Sequence, residues 1–489
     1  MANARKVTLN PINLFGFFFG VLLLAAPGLA EIRILPVNPA GLAISVEAGS
    51  VALPGGKTVE VKAAQLKFDA PEIRDFKIDT KATRNYASWY EPWDGWPGYS
   101  QDKKINFISL YPKTDEEGTL ILGSLYRSVL PESIVVTNAD GSKNYKMNED
   151  YKFQSDWGHI ANLNGGLGKE WEADLKVSCK YAVQRLDLVQ AGPDGVVTVK
   201  KGKSLIVCPE LPEPDKGCAG LAGIYIAGWK AADSPYYDSV GGLKDATTYA
   251  ITPYEIFPIK PLPPVAPVNK PALEKSVKKL KAGGEFKIAF IGDSITVGAE
   301  APAWWDNLWT EKNLGYPSRV VTGLRKLFPK SNITPLPAFQ GGTTTGYGVE
   351  MLKKTVLPKK PDLIVISFGG NDAGGSIGGK PNNPPEKFKE DLRAMIKKSK
   401  AANAEVLLVV TMHQSAWLKN KVVERWPEYV KAQLDLAKEE DIGTADCDSE
   451  WQNQASRGIP PFSQLHNGIN HPGKAGHKLF ADVILRFFE

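Results

Sequence analysis

The chain predicts an α/β fold, a doubly wound parallel five-stranded sheet over residues 285–489, preceded by a β-rich, sandwich-like region over residues 31–255. Three observations carry this. Strand-length apolar runs at 286–291, 333–339, 362–368, 405–411 and 442–446 alternate with helical periodicity, clearest at Lys387–Lys400, Tyr429–Glu439 and Gly476–Phe488. Five such βα units in about 205 residues imply helices on both faces of the sheet and chemistry at the carboxyl ends of its strands. Before residue 256 the pattern differs. Short apolar runs (Gly41–Val46, Lys57–Val61, Thr119–Leu125, Ser133–Val136, Val196–Val199) are separated by turns such as Ala139-Asp140-Gly141 and Pro193-Asp194-Gly195, which reads as one or two β-sandwich-like domains. Between the two patterns, Pro258, Pro261, Pro263, Pro264, Pro267 and Pro271 form a stiff connector, and a short helix is expected near Ala272–Leu280, so residues 256–284 read as a linker.

Residues 1–30 have the pattern of a secretory signal: Arg5 and Lys6, an apolar core from Leu14 to Ala26, then Gly28-Leu29-Ala30 before Glu31. The apolar run is shorter than a spanning helix needs, so export with cleavage is expected, with no membrane span afterwards and a secreted, periplasmic or cell-surface location. Removal of Arg5 and Lys6 takes the formal charge from +5 to +3, too mild a basic balance to argue for nucleic acid as a partner. Four cysteines are present. Cys208 and Cys218 flank a Pro-rich loop and, in an exported chain, are expected to pair, with Cys179 and Cys447 as free buried thiols. No cysteine or histidine spacing suggests a metal site, and no cofactor is implied.

The strand ends form a consistent series. The first closes in Gly292-Asp293-Ser294, a strand-to-helix turn that exposes a serine beside backbone N–H groups. The second closes in Gln340-Gly341-Gly342-Thr343-Thr344 and the third in Gly369-Gly370-Asn371-Asp372, while Asn470-His471-Pro472 lies near the C-terminus. With these four blocks in this order, residues 285–489 resemble the SGNH (GDSL-type) hydrolase superfamily, in its carbohydrate-esterase-like branch. The resemblance implies Ser294 as nucleophile, His471 as base, and an oxyanion hole of the Ser294 N–H, the Gly342 N–H (Gly341 as the alternative) and the Asn371 amide. The chemistry is consistent, since a serine hydroxyl needs a base and a tetrahedral oxyanion needs preorganised donors.

One departure stands out. Where the family usually carries an aspartate three residues before the histidine, this chain has Gly468. A Ser–His dyad held by a backbone carbonyl or Asn467 is the favoured arrangement; an acid from elsewhere, Asp446 or Asp448, or a degenerate site are the others. His413, Trp304, Trp93 and Trp96 are candidates for substrate contact, the last two in an aromatic loop of the kind that stacks on sugars. His477 belongs with the last helix, and His159 and His466 carry no supporting pattern. The resulting expectation is an exported serine esterase that removes O-acyl groups, O-acetyl first, from a polysaccharide. A general short-chain esterase or lipase is the alternative enzyme, and a glycan-binding surface protein with a vestigial hydrolase domain the alternative of another class.

Overall fold

The computed structural model describes residues 32–37, 42–81, 85–86, 106–110, 112, 114–121, 128–154, 158–162, 166–167, 174–226, 254–260, 262–374, 381–412 and 421–489. The expected signal segment, the aromatic loop with Trp93 and Trp96, and His413 lie outside them. No helix among the described residues is long and apolar enough to cross a membrane.

The C-terminal part is built on five parallel strands, Gly284–Gly292, Ser331–Phe339, Leu363–Phe368, Glu405–Val410 and Gly443–Asp446, in the spatial order second, first, third, fourth, fifth. Such a sheet is buried on both faces at its centre, so Leu363–Phe368 and Glu405–Val410 are near-continuous apolar runs, while the edge strand Ser331–Phe339 is only partly buried. Phe286, Ile288 and Phe290 of the first strand pack with helices Tyr316–Leu327 and Lys474–Leu485 on one face. Ala289 and Ile291 face the opposite core, with Phe388, Leu392 and Met395 of helix Pro385–Ala401 and Tyr429 and Leu436 of helix Lys421–Glu439. The strand order reverses beside the first strand, and the crevice at such a switch point is where α/β sheets place their ligands.

The N-terminal part consists of antiparallel sheets arranged around two cores. One core (Ile44, Val46, Val189, Ile224, Ile226) lies between the three-stranded sheet of Ile34–Pro36, Ala43–Val46 and Ala64–Lys67 and the four-stranded sheet of Val197–Lys200, Arg185–Ala191, Ala219–Ile226 and Tyr254–Pro258. The other (Ile108, Val136, Phe153, Ile160, Val177) lies between two four-stranded sheets drawn from residues 73–182. The second unit is therefore an insertion between Lys67 and Arg185 of the first. At the crossing, buried Arg185 pairs with buried Asp187 at 2.7 Å and donates to the Asp69 and Ala70 carbonyls, so its charge is matched and its donors are occupied.

Beyond strand Tyr254–Pro258 the Pro-rich stretch runs along the C-terminal part rather than away from it. Ile259 forms a bridge with Arg457, the Val265 N–H donates to Glu450 at 2.7 Å, and Val268 bridges to Thr444 of the fifth strand. The β-region meets the segment after the fifth strand directly. Tyr225 and Phe257 flank Phe462, and Gly223 lies so close to Gly458 that a β-carbon on Gly223 would stand 1.8 Å from the Gly458 carbonyl oxygen. Neither backbone can yield without breaking the strand or the turn. Gly223→Ala is therefore expected to destabilise the protein by about 1–3 kcal/mol, the usual cost of overpacking, read as a lowered thermal midpoint.

Of the cysteines, Cys208 and Cys218 are unpaired, as are Cys179 and Cys447, which corrects the expected disulfide. Cys208 takes a left-handed backbone (φ 49°) and its sulfur lies against Gly473, where a β-carbon would come within 2.6 Å of it. The thiol is thus packed against the histidine-bearing loop, not turned toward Cys218.

Candidate active site

Glycine at 292 is dictated by packing. A β-carbon there would lie 2.0 Å from Thr296 Oγ1 and 2.6 Å from the Ser367 carbonyl oxygen, so only glycine lets the first strand turn directly into the helix Ser294–Val297. Asp293 caps that helix through the Ile295 N–H at 3.0 Å, and burial raises its carboxyl to about 7. Thr296 hydrogen-bonds Tyr316 at 3.0 Å and fixes the turn to the neighbouring helix. Ser294 is thereby held at the carboxyl edge of the sheet.

His471 reaches it from the terminal loop, with Nε2 2.9 Å from Ser294 Oγ. The loop is rigid: the Asn467 side-chain oxygen accepts the N–H groups of Ile469, Asn470 and His471, and the His466 N–H donates to the His471 carbonyl at 2.8 Å. Gly468 turns this loop at φ 68°, a left-handed conformation that glycine adopts without steric cost.

The partner of His471 Nδ1 is Glu300, at 3.0 Å. This corrects three expectations at once. Asn467 is spent on the backbone of its own loop and on Asn470, Asp446 caps the helix Cys447–Gln452 through Ser449, and Asp448 accepts from Trp426 Nε1. None of them reaches the imidazole, and the arrangement is not a dyad but Ser294–His471–Glu300. Glu300 is fully buried and has φ 68°, uncommon for a residue with a side chain. Burial opposes its charge, yet hydrogen bonds from His466 and His471 outweigh it and hold the carboxyl below the usual glutamate range. Nothing in the local sequence marks its role except one acidic residue among small apolar ones, Val297-Gly298-Ala299-Glu300-Ala301-Pro302.

His466 is the second group missing from the expectation. Its Nδ1 lies 3.0 Å from Glu300 Oε2 and its Nε2 2.9 Å from Asp115 Oδ2. Against the cost of burial, the hydrogen bonds to Asp115 and Glu300 raise it to about 9, so it is an imidazolium at neutral pH. His477, by contrast, is buried in the last helix and pushed down to about 3 by desolvation; it accepts the Tyr316 N–H on Nδ1 and faces the Ala299 carbonyl with Nε2.

On the other side of Ser294 stand the second and third strand ends. A β-carbon built on Gly341 would lie 3.8 Å from Ser294 Cβ, which brings Gly341 to the serine, while Gly342 takes φ 74° and turns the loop. Asn371 Nδ2 donates to the Thr343 carbonyl at 3.0 Å, tying the two loops together with one of the two N–H groups of its amide. Buried Asp372 reinforces the tie by accepting from the Thr345 N–H and hydroxyl and from Asn383. Trp304 packs edge-on against Trp305 at 5.1 Å, in the loop that follows Glu300. Chemically, the arrangement offers a hydroxyl hydrogen-bonded to an imidazole, the imidazole held by a buried carboxylate, and amide donors across the crevice.

Residues 290–479 match the model of the GDSL-like Lipase/Acylhydrolase family, and this match supports a carboxylic ester hydrolase. The chain is similar to an acetylxylan esterase of Geobacillus stearothermophilus, 22% identical over 211 residues that make up 42% of this chain and 95% of that protein. Among solved structures, the crystal structure of Axe2, an acetylxylan esterase from Geobacillus stearothermophilus, is 22% identical with a TM-score of 0.37, covering 42% of this chain and 96% of that one. LAE5, an alpha/beta hydrolase enzyme from the metagenome of Lake Arreo, is 18% identical with a TM-score of 0.37, covering 43% and 98%.

Proposed function

We propose that this protein is an exported serine esterase that removes O-acyl groups, O-acetyl first, from a polysaccharide, through Ser294, His471 and Glu300. The observation that carries the reading is the unbroken hydrogen-bond line from Ser294 Oγ through His471 to buried Glu300, at 2.9 and 3.0 Å. Ser294 Oγ attacks the acyl carbonyl and passes its proton to His471 Nε2, while Glu300 accepts from Nδ1–H and stabilises the imidazolium that forms. The tetrahedral oxyanion is received by the Ser294 N–H, the N–H of Gly342 or Gly341, and the Asn371 amide. Collapse expels the sugar hydroxyl, which takes the proton from His471. Water, activated by the same histidine, then releases the acid and restores Ser294.

The acetylxylan esterase likeness supports an acetylated carbohydrate as substrate, and the signal-like residues 1–30 support export. Acetate release across a panel of acetylated polysaccharides, beside hydrolysis of p-nitrophenyl acetate, tests the reading. Hydrolysis of the model ester without release from any polysaccharide leaves a general short-chain esterase; no hydrolysis of either overturns the reading. Within it, Asn371→Ala is expected to lower kcat on the model ester by about 10²–10³-fold, the usual effect of deleting one oxyanion donor.

A further inference from the structure

We propose that Asp115, carried by the N-terminal β-region, is a positioning residue of the hydrolase site: through His466 it holds Glu300, and through Glu300 it holds His471. This rests on the reading of Ser294 and His471 as the hydrolytic pair. Five side chains form one line, Ser294–His471–Glu300–His466–Asp115, with successive separations of 2.9, 3.0, 3.0 and 2.9 Å. The last link joins residues 351 positions apart, from two different parts of the fold.

Both ends of that link are built rather than incidental. Asp115 sits in a tight turn whose backbone closes through the Asp115 N–H to the Thr119 carbonyl at 3.0 Å. Its Oδ1 accepts the N–H groups of Glu117 and Thr119, at 2.9 and 2.8 Å, which leaves Oδ2 aimed at His466. Lys474, three residues beyond His471, pairs with Glu117 of the same turn at 3.0 Å, and Cys208 of the β-region packs against Gly473. The β-region therefore grips the histidine loop at three places around the line.

The charges explain why a second histidine is used. Glu300 is fully buried, and one hydrogen bond from a neutral imidazole is little support for a carboxylate in such a place. An imidazolium at 466 supplies a charge-assisted partner, and Asp115 keeps that imidazolium charged. The groups facing the line are Asp115 and Cys208 from the β-region, Glu300 and Asp293 after the first strand, and His471 and His477 from the terminal segment. His466 is the cation among them, set between two acids. With that cation in place the Glu300 carboxylate is shared between two rings; without it, its full charge faces His471 alone.

Asp115→Asn separates this role from a purely structural one. Asn keeps Oδ1 for the turn but presents Nδ2–H to His466 Nε2, which favours the neutral ring. Two measurements on the full chain read the result. In histidine ring ¹⁵N spectra, His466 of the wild type should be doubly protonated at pH 7.5 and that of Asp115→Asn neutral. In the pH profile of kcat/KM for p-nitrophenyl acetate, the acid limb should move up by about half to one unit in Asp115→Asn and in the same direction in His466→Gln, because each removes a positive charge near His471. One unit below the limb, kcat/KM then falls by about 3–10-fold. Identical His466 titration in wild type and Asp115→Asn overturns the proposal, as does an acid limb unmoved in both variants. Should Asp115→Asn fail to fold, His466→Gln alone decides by its limb. A wild type without esterase activity would sink the hydrolytic reading separately, and the ring spectra would still decide whether Asp115 controls His466.

Discussion

Ser294→Ala should abolish ester hydrolysis, with kcat on p-nitrophenyl acetate reduced on the order of 10⁵–10⁶-fold, the scale seen when the nucleophile of a triad is removed. The fold should not change. Ser294 contributes a hydroxyl whose hydrogen bond is to His471, and the turn around it is fixed by Gly292, Asp293 and the Thr296–Tyr316 pair, none of which needs the serine oxygen. The thermal midpoint of Ser294→Ala should therefore match wild type, and its histidine ring spectra should keep His466 charged. Any activity left comes from the amide donors and His471 acting on water, so it should disappear further in Ser294→Ala/Asn371→Ala. Hydrolysis by Ser294→Ala within tenfold of wild type would place the chemistry elsewhere and end the serine-esterase reading.

How much of this site the sequence disclosed follows from the range over which each signal acts. Gly292, Ser294, Gly342 (with Gly341 as the alternative), Asn371 and His471 were legible as positions because each closes a strand or a turn, and the local pattern of an apolar run breaking into small polar residues marks the place. The central strands were legible as near-continuous apolar runs with both faces buried, and the others by a buried apolar stretch within each. Helix Lys421–Glu439 starts well before the expected Tyr429 because Pro427 lies inside it, where a sequence pattern reads a break. Glu300 left no signal of that kind. It follows Ser294 by six residues on a loop with a left-handed backbone, and only the tertiary approach of the terminal loop gives it two histidines. Asp115 is further still from recognition by pattern, since its turn reads as an ordinary Asp-Glu-Glu-Gly turn until the inserted sandwich brings it to His466. The unpaired Cys208 has the same origin, a side chain turned by the backbone toward Gly473. Long-range polar pairings are thus what escaped, and they are concentrated at the active site.

Glu300→Gln should reduce kcat by about 10²–10⁴-fold with little change in KM, and should shift the acid limb of kcat/KM downward. The size follows from the donors around the carboxylate. Glu300 accepts from two rings, His471 on Oε1 and His466 on Oε2, each at 3.0 Å, and an amide can accept on one side only. If its N–H faces His471, the imidazole is driven into the tautomer that carries its proton on Nε2 and cannot accept from Ser294, the most damaging outcome. If its N–H faces His466, that ring must give up its proton from Nδ1 and donate to Asp115 alone, which preserves the tautomer of His471 but still removes the negative charge that stabilises its imidazolium. Burial makes both outcomes costly, because Glu300 is fully enclosed. The direction of the pH shift distinguishes the acid from its supports. Taking the negative charge from Glu300 lowers the affinity of His471 for a proton, whereas taking the positive charge from His466, directly or through Asp115, raises it. Opposite displacements of the acid limb in Glu300→Gln and His466→Gln, measured on the same ester, are the expected signature of the line; displacements of the same sign would show that the carboxylate does not act on His471 through its charge.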